Sequence, residues 1–389
     1  MSTSNFADAL VAKVREIYCS DQFIPLHAPR LGETEKSYVI DAIDSTFVSS
    51  VGKNVGEFEE AIAKYTGARF AVAVSSGTAA LHVALHAIGV RAGDEVITTP
   101  LTFVATCNAI CYCGGSPIFV DVDRSTLGLS PDSLDQFLEE YAEVRDDGLC
   151  WNRFSEKVIR ACVPVHNLGH PAQVEKIITI CERYNIPVIE DAAESLGSYS
   201  GGIHTGRLGS LGTLSFNGNK IITTGGGGAI ITDSERLKDR IKHLTTTAKQ
   251  PHPYLFIHDE IGFNYRLPNL NAALGLAQIE RLEHFVLQKR QLSSVYAEWL
   301  DDYADVQFFS EPAKARSNYW LNAILVPDRS TRDDILSKTN QLGVMTRPMW
   351  TPMPSLPMFE NCLQFEIVNA RAIENQLINL PSSVVSANP

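Results

Sequence analysis

Short apolar runs alternate with longer amphipathic segments over much of the chain. The short runs are rich in β-branched residues and lack polar alternation, which is typical of strands that are buried on both faces of a parallel sheet. They occupy residues 70–74, 95–98, 118–122, 158–165 and 188–190. The segments between them have apolar residues at helical spacing and occupy residues 78–89, 103–113, 131–141 and 172–184. The alternation predicts an α/β fold with a mostly parallel sheet sandwiched by helices.

The two ends of the chain have a different pattern. Near the N-terminus, apolar residues recur at helical spacing, so we expect a helix there that packs on the body of the protein. After residue 232 long helical patterns dominate, and the loop AKQPHPY near residue 250 marks a domain boundary. The predicted parts are an N-terminal helix and arm (residues 1–30), a large domain (31–250) and a smaller α/β C-terminal domain (251–389).

Charge narrows the class of function. With 33 Lys and Arg against 45 Asp and Glu, the 389-residue chain has a formal net charge of -12, which disfavours binding to nucleic acid or to anionic membrane surfaces. The N-terminal residues have no signal-peptide pattern, and no apolar stretch approaches the ~18 residues of a membrane span. We therefore expect a cytoplasmic protein without a membrane anchor.

The eight cysteines lack the spacing of a metal site. They lie in apolar stretches, with no CxxC pair and no matching run of histidines. We expect buried thiols in a reducing compartment and no bound metal.

The first candidate for chemistry is the stretch SSGTAALH, residues 75–82, between a predicted strand and a predicted helix. Small residues at such a turn leave the first helical N–H groups free, and with the helix dipole these groups form an anion site, most naturally for a phosphate. Close packing between a strand and a helix also requires small residues, so the motif alone leaves both interpretations open.

Two acids, Glu190 and Asp191, end a predicted buried strand in the sequence VIEDAAE. The carboxyl ends of parallel strands form the edge at which α/β proteins bind ligands, so we expect one of the acids to face a ligand. The alternative is an aspartate that caps the next helix. His166, at the end of another predicted strand, is likewise either a capped core histidine or a substrate contact.

A single lysine, Lys220, lies between an Asn-Gly turn and the glycine run of residues 225–228. Lysines normally occupy solvated surfaces, so a lysine in this setting is a candidate for the desolvated nucleophile that imine chemistry requires. The glycine run is also compatible with ordinary tight turns, and it lacks the ending of a Walker-type phosphate loop.

The phosphate site, the acid and the lysine together form the set that pyridoxal 5'-phosphate requires. The lysine holds the aldehyde as an imine, the aspartate keeps the pyridine nitrogen protonated, and the helix N-terminus holds the phosphate. Pyridoxal phosphate is therefore the expected cofactor.

The sequence also resembles a known family over nearly its whole length. In chain order, the stretches that carry the resemblance are SSGTAALH, TTPLTFVATCNAI, VHNLGHP, IEDAAES, LSFNGNK with ITTGGGG, and GFNYRLPNLNAALGLAQIERL. They resemble the DegT/DnrJ/StrS group of sugar aminotransferases, within the fold-type I pyridoxal phosphate enzymes. Several such motifs in one order are far more specific than any one of them.

The resemblance implies a role for several residues at the cofactor. Lys220 is the catalytic residue and forms the imine, Asp191 pairs with the ring nitrogen, and Phe103 stacks on the ring. Glu194 lies against the phenolic oxygen, and since a carboxylate would repel a phenolate there, our own hypothesis is that the two oxygens share a proton. The implied phosphate contacts are Gly77, Thr78, Ala79 and Ser215, together with Asn264 from the partner subunit of a homodimer that shares its active sites.

The implied reaction transfers an amino group from L-glutamate to a nucleotide-linked sugar. The stretches IPLHAPRLGETEK and VSSVGKNVGEFEE resemble the subgroup of bacillosamine- and legionaminate-type pathways, and this resemblance implies UDP-4-keto-6-deoxy-N-acetylglucosamine as the first choice. The alternatives are a GDP-linked 4-keto sugar, a 3-keto sugar, or a non-catalytic sensor of the cofactor or the sugar nucleotide. The implied substrate contacts are Ser49, Ser50, Val51, Asn217, Trp350 and Met353.

A diphosphate ligand requires local positive charge on this acidic protein. Five cations are candidates, each with an ordinary surface role as the alternative: Arg30, Lys53, Arg266, Arg316 and Arg347. The stretch WTPMPSLP departs from the resemblance, because it has Pro354 and Ser355 where many relatives have a histidine. We therefore carry over no histidine contact at that position.

Overall fold

The computed structural model describes residues 3–385, in which the chain forms twelve α-helices and seventeen strands. The helices are α1 Thr3–Tyr18, α2 Glu33–Asp44, α3 Lys53–Thr66, α4 Gly77–Ile88, α5 Ala105–Tyr112, α6 Pro131–Tyr141, α7 Val174–Glu182, α8 Glu235–Thr245, α9 Asn269–Ile279, α10 Leu282–Leu300, α11 Arg329–Gln341 and α12 Val368–Gln376. The strands are β1 Phe70–Val74, β2 Glu95–Thr98, β3 Ser116–Val120, β4 Ala142–Val144, β5 Cys150–Asn152, β6 Ile159–Val163, β7 Ile189–Asp191, β8 Tyr199–Ser200, β9 Ile203–His204, β10 Leu211–Ser215, β11 Gly228–Thr232, β12 Gln307–Phe308, β13 Ala315–Arg316, β14 Asn322–Leu325, β15 Arg347–Pro348, β16 Gln364–Phe365 and β17 Leu377–Leu380.

Two four-stranded sheets meet in the large domain. One has the order β1-β11-β10-β7 and the other the order β16-β3-β2-β6. Parallel bridges from Cys162 to Val188 and from Val165 to Asp191 link β6 to the β7 segment. Seven of these eight strands run in the same direction, and β11 runs opposite to them. The predicted mostly parallel sheet of an α/β fold is confirmed.

Helices cover both faces of this sheet. Along β1, Val72 packs in a buried cluster with residues of α4, α5 and α8. Its neighbours Ala71 and Ala73 point the other way and pack with α3, α9 and the start of α10. This alternation follows from the two-residue period of a strand, and it explains why the strand sequences are apolar throughout.

The smaller domain is built on the antiparallel sheet β12-β14-β17-β15. The predicted N-terminal helix is present as α1, and its apolar residues Leu10 and Val14 pack in one cluster with Tyr296 and Ile324 of this domain. The expected domain boundary lies near residue 250, but the chain does not pass from the large-domain core to the small-domain core there. This change of core occurs inside α10, because Val286 still packs with the large-domain cluster.

All eight cysteines are free thiols, but Cys19 and Cys111 are exposed, so the expectation of buried thiols is wrong for these two. Within residues 3–385, no helix combines the length and the apolar character needed to cross a bilayer.

Candidate active site

A cavity of about 730 Å³ lies where the large-domain sheet ends and the small domain begins. Its volume is typical of sites for cofactors and small-molecule substrates. The structure brings together most of the residues predicted from the sequence. Those that line the cavity are Gly77, Thr78, Phe103, Asp191, Glu194, Ser215, Asn217, Lys220 and Trp350.

The N-terminus of α4 forms one side of the cavity. Ser76 caps the helix, and its Oγ accepts a hydrogen bond from the N–H of Ala79 at 3.0 Å. The N–H groups of Gly77 and Thr78 donate to no acceptor within residues 3–385. These two groups and the helix dipole are suited to an anion. The expected contact through Ala79 is not supported, because its N–H is taken by the cap and Ala79 does not line the cavity.

Gly77 lies so close to β10 that only glycine fits. A Cβ atom at this position would lie 2.7 Å from Ser215 Cβ and 3.0 Å from Ser215 Oγ. The sequence SSG is therefore required for close packing as well as for the free N–H groups, so the two interpretations of this motif are compatible. Ser215 adds a hydroxyl to the same anion site.

Asp191 is the acid that faces the cavity. It is buried, its Oδ2 accepts a hydrogen bond from Thr106 Oγ1 at 2.7 Å, and its Oδ1 accepts from the N–H of Ala193 at 3.1 Å. Burial raises the pKa of Asp191, an effect that these hydrogen bonds oppose. A cation in the cavity would lower this pKa. Thr106 was missed in the sequence analysis.

The neighbouring acid, Glu190, has a structural role. It accepts hydrogen bonds from the backbone N–H groups of Gly206 at 2.8 Å and Gly209 at 2.7 Å. His166 Nε2 lies 3.0 Å from Glu190 Oε2, and His166 Nδ1 accepts from the N–H of Ala172 at 3.0 Å. The proton therefore lies on Nε2 and is donated to Glu190. His166 is a core histidine, which decides between the two alternatives.

Lys220 lies between an acid and an aromatic ring. Its Nζ is 3.4 Å from Glu194 Oε1 and 4.1 Å from the ring centroid of Trp320. Glu194 Oε2 accepts a hydrogen bond from the N–H of Leu168 at 2.9 Å. Burial raises the pKa of Glu194 to about 6, although the Lys220 charge opposes this shift. Trp320 was missed, because no motif surrounds it and it is distant from Lys220 in sequence.

The small domain and the N-terminal segment close the cavity with Trp320, Arg347, Trp350 and His27. The ring centroids of Phe103 and Trp350 are 6.5 Å apart. Phe103 is 55% exposed, so its ring face is open to a ligand. Both ring nitrogens of His27 are buried without a hydrogen-bond partner within residues 3–385.

Two groups of predicted substrate contacts and one predicted phosphate contact, Asn264, lie elsewhere. Met353 is buried among Cys107, Phe119 and Phe359, and its backbone N–H donates to the Pro100 carbonyl. It is therefore a core residue and does not line the cavity.

Ser49, Ser50 and Val51 are in the loop between α2 and α3, outside the cavity, and Val51 lines a second cavity of about 750 Å³. Asn264 is exposed, and its Oδ1 accepts hydrogen bonds from the guanidinium of Arg266. Their predicted roles stay predictions.

Among the five candidate cations, Arg347 is the one that lines the described cavity. Its guanidinium donates to Asn340 Oδ1 and to the Thr346 carbonyl, both at 2.8 Å. Lys53 is within 3.9 Å of Glu57, and Arg316 forms an ion pair with Glu283 at 2.9 Å. The pair with Glu283 gives Arg316 an ordinary surface role, whereas Lys53 also lines the second cavity.

The comparison with known proteins agrees with this geometry. The profile of the DegT/DnrJ/EryC1/StrS aminotransferase family matches residues 29–387. The chain belongs to this family. It is 36% identical over 361 residues to the GDP-perosamine synthase of Escherichia coli O157:H7, with 93% of each chain covered. It is 34% identical to the GDP-perosamine synthase of Caulobacter vibrioides, with 92% of this chain and 93% of that protein covered.

A solved structure also matches this DegT/DnrJ/EryC1/StrS chain. The crystal structure of the aminotransferase TlmJ from Streptoalloteichus hindustanus superimposes with a TM-score of 0.83 and 26% identity, covering 92% of this chain and 93% of that one. The protein is therefore a transaminase, and its cofactor is pyridoxal phosphate.

The cavity fits this cofactor on the chemistry of its donor groups. Two N–H groups that have no acceptor in the described part of the chain and the Ser215 hydroxyl match a phosphate. The buried Asp191 carboxylate matches a protonated ring nitrogen. The Lys220 amine, which is largely buried beside Glu194, matches the aldehyde.

Proposed function

We propose that this protein transfers the amino group of L-glutamate to C4 of a GDP-linked 4-keto-6-deoxy sugar. The observation that carries the proposal is the Lys220 amine inside a cavity that also contains an anion site and the buried Asp191 carboxylate. The choice of GDP as the nucleotide is supported by relatives named GDP-perosamine synthase, which match over more than nine tenths of the chain. This replaces UDP-4-keto-6-deoxy-N-acetylglucosamine as the first choice, and the UDP sugar becomes the second candidate.

Pyridoxal phosphate, when bound, supplies an aldehyde for amines and a ring that accepts negative charge from the reacting carbon. The N–H groups of Gly77 and Thr78 and the Ser215 hydroxyl bind the phosphate. Asp191 keeps the ring nitrogen protonated, and the hydroxyl of Thr106 holds this carboxylate in its orientation. Phe103 offers its exposed ring face to the cofactor ring.

Lys220 acts at two points of the cycle. Its Nζ would hold the cofactor and, once displaced by the amino donor, would take up the proton that the donor's α-carbon loses and pass it to the cofactor carbon that carries the nitrogen. Glu194 keeps this amine in the cavity through its contact of 3.4 Å. Because burial raises the pKa of Glu194 to about 6, the carboxylate also takes up a proton more readily than a solvated glutamate does.

The acceptor sugar requires a second set of contacts. Arg347 supplies a guanidinium for the diphosphate, since it lines the cavity and its hydrogen bonds within residues 3–385 are to neutral oxygens. Trp350 and Asn217 line the same cavity and offer an aromatic face and an amide to the sugar. The acceptor thus contacts mainly the small-domain side.

We also propose a homodimer with shared sites. Asn264 is exposed, and the loop before it carries apolar side chains on the surface, namely Tyr254, Leu255, Phe256, Ile257 and Ile261. Exposed apolar side chains grouped in one loop are typical of an interaction surface. If Asn264 serves the partner's site, a mixed dimer of Lys220→Ala and Asn264→Ala chains has one intact site and recovers activity. No recovery in a dimer of confirmed mixed composition would contradict a shared site.

The direct test of the function is the release of 2-oxoglutarate from L-glutamate in the presence of single keto sugars. The panel contains the GDP-linked and UDP-linked 4-keto-6-deoxy sugars and a 3-keto sugar. We expect turnover that is fastest with the GDP-linked 4-keto sugar. Fastest turnover with the UDP sugar would restore the second candidate. Turnover with none, despite a bound cofactor that Lys220→Ala loses, would favour a sensor.

A further inference from the structure

Trp320 of the small domain contacts the amine of Lys220. The Lys220 Nζ lies 4.1 Å from the centroid of the indole ring, and Glu194 Oε1 lies 3.4 Å from the same nitrogen. A tryptophan face attracts an ammonium group more strongly than the face of phenylalanine or an aliphatic side chain, and the attraction grows as water is excluded. The amine is thus held between an aromatic face and a carboxylate.

The indole ring is fixed in this orientation by its own bonds. Trp320 Nε1 donates a hydrogen bond to the carbonyl of Asn219 at 2.7 Å, directly beside the lysine in sequence. Its backbone N–H donates to Asn318 Oδ1 at 2.8 Å. The preceding residue, Tyr319, has a φ of 47°. This left-handed conformation is unfavourable for a bulky side chain and persists only where the surroundings impose it.

The same segment holds Glu194 in place. Asn318 Nδ2 donates a hydrogen bond to the carbonyl of Glu194 at 2.9 Å. The N–H of Leu168 donates to Glu194 Oε2. The carbonyl of Leu168 in turn accepts a hydrogen bond from the N–H of Leu321 at 3.3 Å. Gly169 has a φ of +95°, and a Cβ there would lie 1.9 Å from Asn318 Oδ1. The aromatic ring and the acid are therefore positioned as one unit around Lys220.

We propose that Trp320 is a positioning residue whose indole face holds the Lys220 amine in the cavity whenever the lysine is not covalently engaged. The inference rests on the proposed aminotransferase function, in which the lysine is released in every cycle. A released lysine side chain gains rotational freedom, and in a cavity of about 730 Å³ it can leave the reacting carbon. The indole and Glu194 limit that freedom, so the amine stays ready for proton transfer.

The test compares Trp320→Leu with Trp320→Phe, which keeps an aromatic face but lacks the indole N–H. The control is Trp151→Leu, because Trp151 also lies under a cation, with Arg145 4.6 Å from its ring, but outside the cavity. The full chain without cofactor is labelled with an amine-reactive acylating reagent at one pH, and modification of Lys220 is followed by mass spectrometry. We expect labelling of Lys220 to be roughly fivefold faster in Trp320→Leu and within twofold of wild type in the other variants.

The second readout is the conversion of L-glutamate to 2-oxoglutarate by the holoenzyme in a single turnover. In Trp320→Leu the rate constant should fall roughly tenfold while the glutamate concentration for half-saturation stays within twofold, and Trp320→Phe should recover most of the rate. Equal defects in Trp320→Leu and Trp320→Phe, or wild-type behaviour of Trp320→Leu in both readouts, would overturn the inference. Absence of 2-oxoglutarate from the wild type would refute the proposed function instead, and the labelling would still decide on Trp320.

Discussion

The two walls of the cavity differ in how far the local sequence determines them. On the large-domain wall, Gly77, Asp191 and Lys220 each lie in a short motif at the end of a strand or the start of a helix, and the sheet brings these motifs to one edge. On the small-domain wall, Trp320 and Arg347 belong to no such motif. The difference suggests that the first wall carries the cofactor chemistry and the second one positions Lys220 and selects the acceptor.

The largest effect should follow from Lys220→Ala on the large-domain wall. Loss of the amine removes both the attachment of the cofactor and the proton carrier, so 2-oxoglutarate formation should fall on the order of 10³-fold or more. The matched control is Lys242→Ala, which removes a partly exposed lysine paired with Glu59 and should keep the wild-type rate. A Lys220→Ala variant with a tenth of the wild-type rate would contradict the assignment.

Asp191→Asn should have the next largest effect. The amide keeps the size of the side chain and a hydrogen bond from Thr106, but it lacks the charge that keeps the ring nitrogen protonated. The first half-reaction with glutamate, followed by stopped-flow absorbance, should slow on the order of 10²-fold while the cofactor stays bound. Asp233→Asn, at an exposed aspartate that bonds Arg69 and Arg207, should change this rate less than twofold. A small effect at Asp191 would contradict its role at the ring nitrogen.

Gly77→Ala tests the anion site of the same wall. The new Cβ would meet Ser215 at 2.7 Å, so α4 must shift and the dissociation constant for pyridoxal phosphate should rise about tenfold or more. Gly56→Ala, in α3 with no atom within 4 Å of the new Cβ, should leave this constant unchanged and stabilise the chain by about 0.5 to 1 kcal/mol. Equal cofactor affinity in both variants would contradict a phosphate site at Gly77.

Arg347→Ala tests the small-domain wall. If this guanidinium binds the diphosphate, the KM for the nucleotide sugar should rise about tenfold, while the half-reaction with glutamate keeps its rate. Arg316→Ala, at a partly exposed arginine paired with Glu283, is the control and should leave both unchanged. An effect of Arg347→Ala on the glutamate half-reaction alone would show that the two walls do not divide their tasks in this way.

The smallest expected effect concerns Glu194. Its pKa in the fold is about 6, above the ordinary value of 4.5, so its favourable contribution to stability is present below pH 4.5 and is lost as the pH rises through 6. The glutamine of Glu194→Gln cannot ionise. Between pH 4.5 and pH 7, the free energy of unfolding should therefore fall by about 2 kcal/mol less in this variant than in wild type.

The measurement is urea unfolding of the cofactor-free chain at several pH values. Glu140→Gln, at an exposed glutamate of α6, should follow the wild-type curve. Parallel curves for wild type and Glu194→Gln would show that burial does not raise the pKa of Glu194.

The sequence allowed the fold and the large-domain wall to be predicted because the signals there are local. Strand periodicity locates the sheet edge, and Lys220 stands out in its glycine-rich surroundings. The small-domain wall is formed where two loops meet in space. The hydrogen bond from Trp320 to Asn219 joins residues that are far apart in sequence, and hydrophobic periodicity does not predict such a contact. Met353 was misassigned for the same reason, since proximity to Trp350 in sequence does not fix which side chain turns into the core.

The most direct test of the proposed function uses L-glutamate labelled with ¹⁵N in its amino group, together with the GDP-linked 4-keto-6-deoxy sugar. The product is analysed by mass spectrometry and NMR. We predict a GDP-linked sugar that carries ¹⁵N at C4, formed by the wild type and by Lys242→Ala but not by Lys220→Ala. Absence of ¹⁵N from the GDP sugar with a cofactor-loaded wild-type enzyme, or its appearance with Lys220→Ala, would contradict the account.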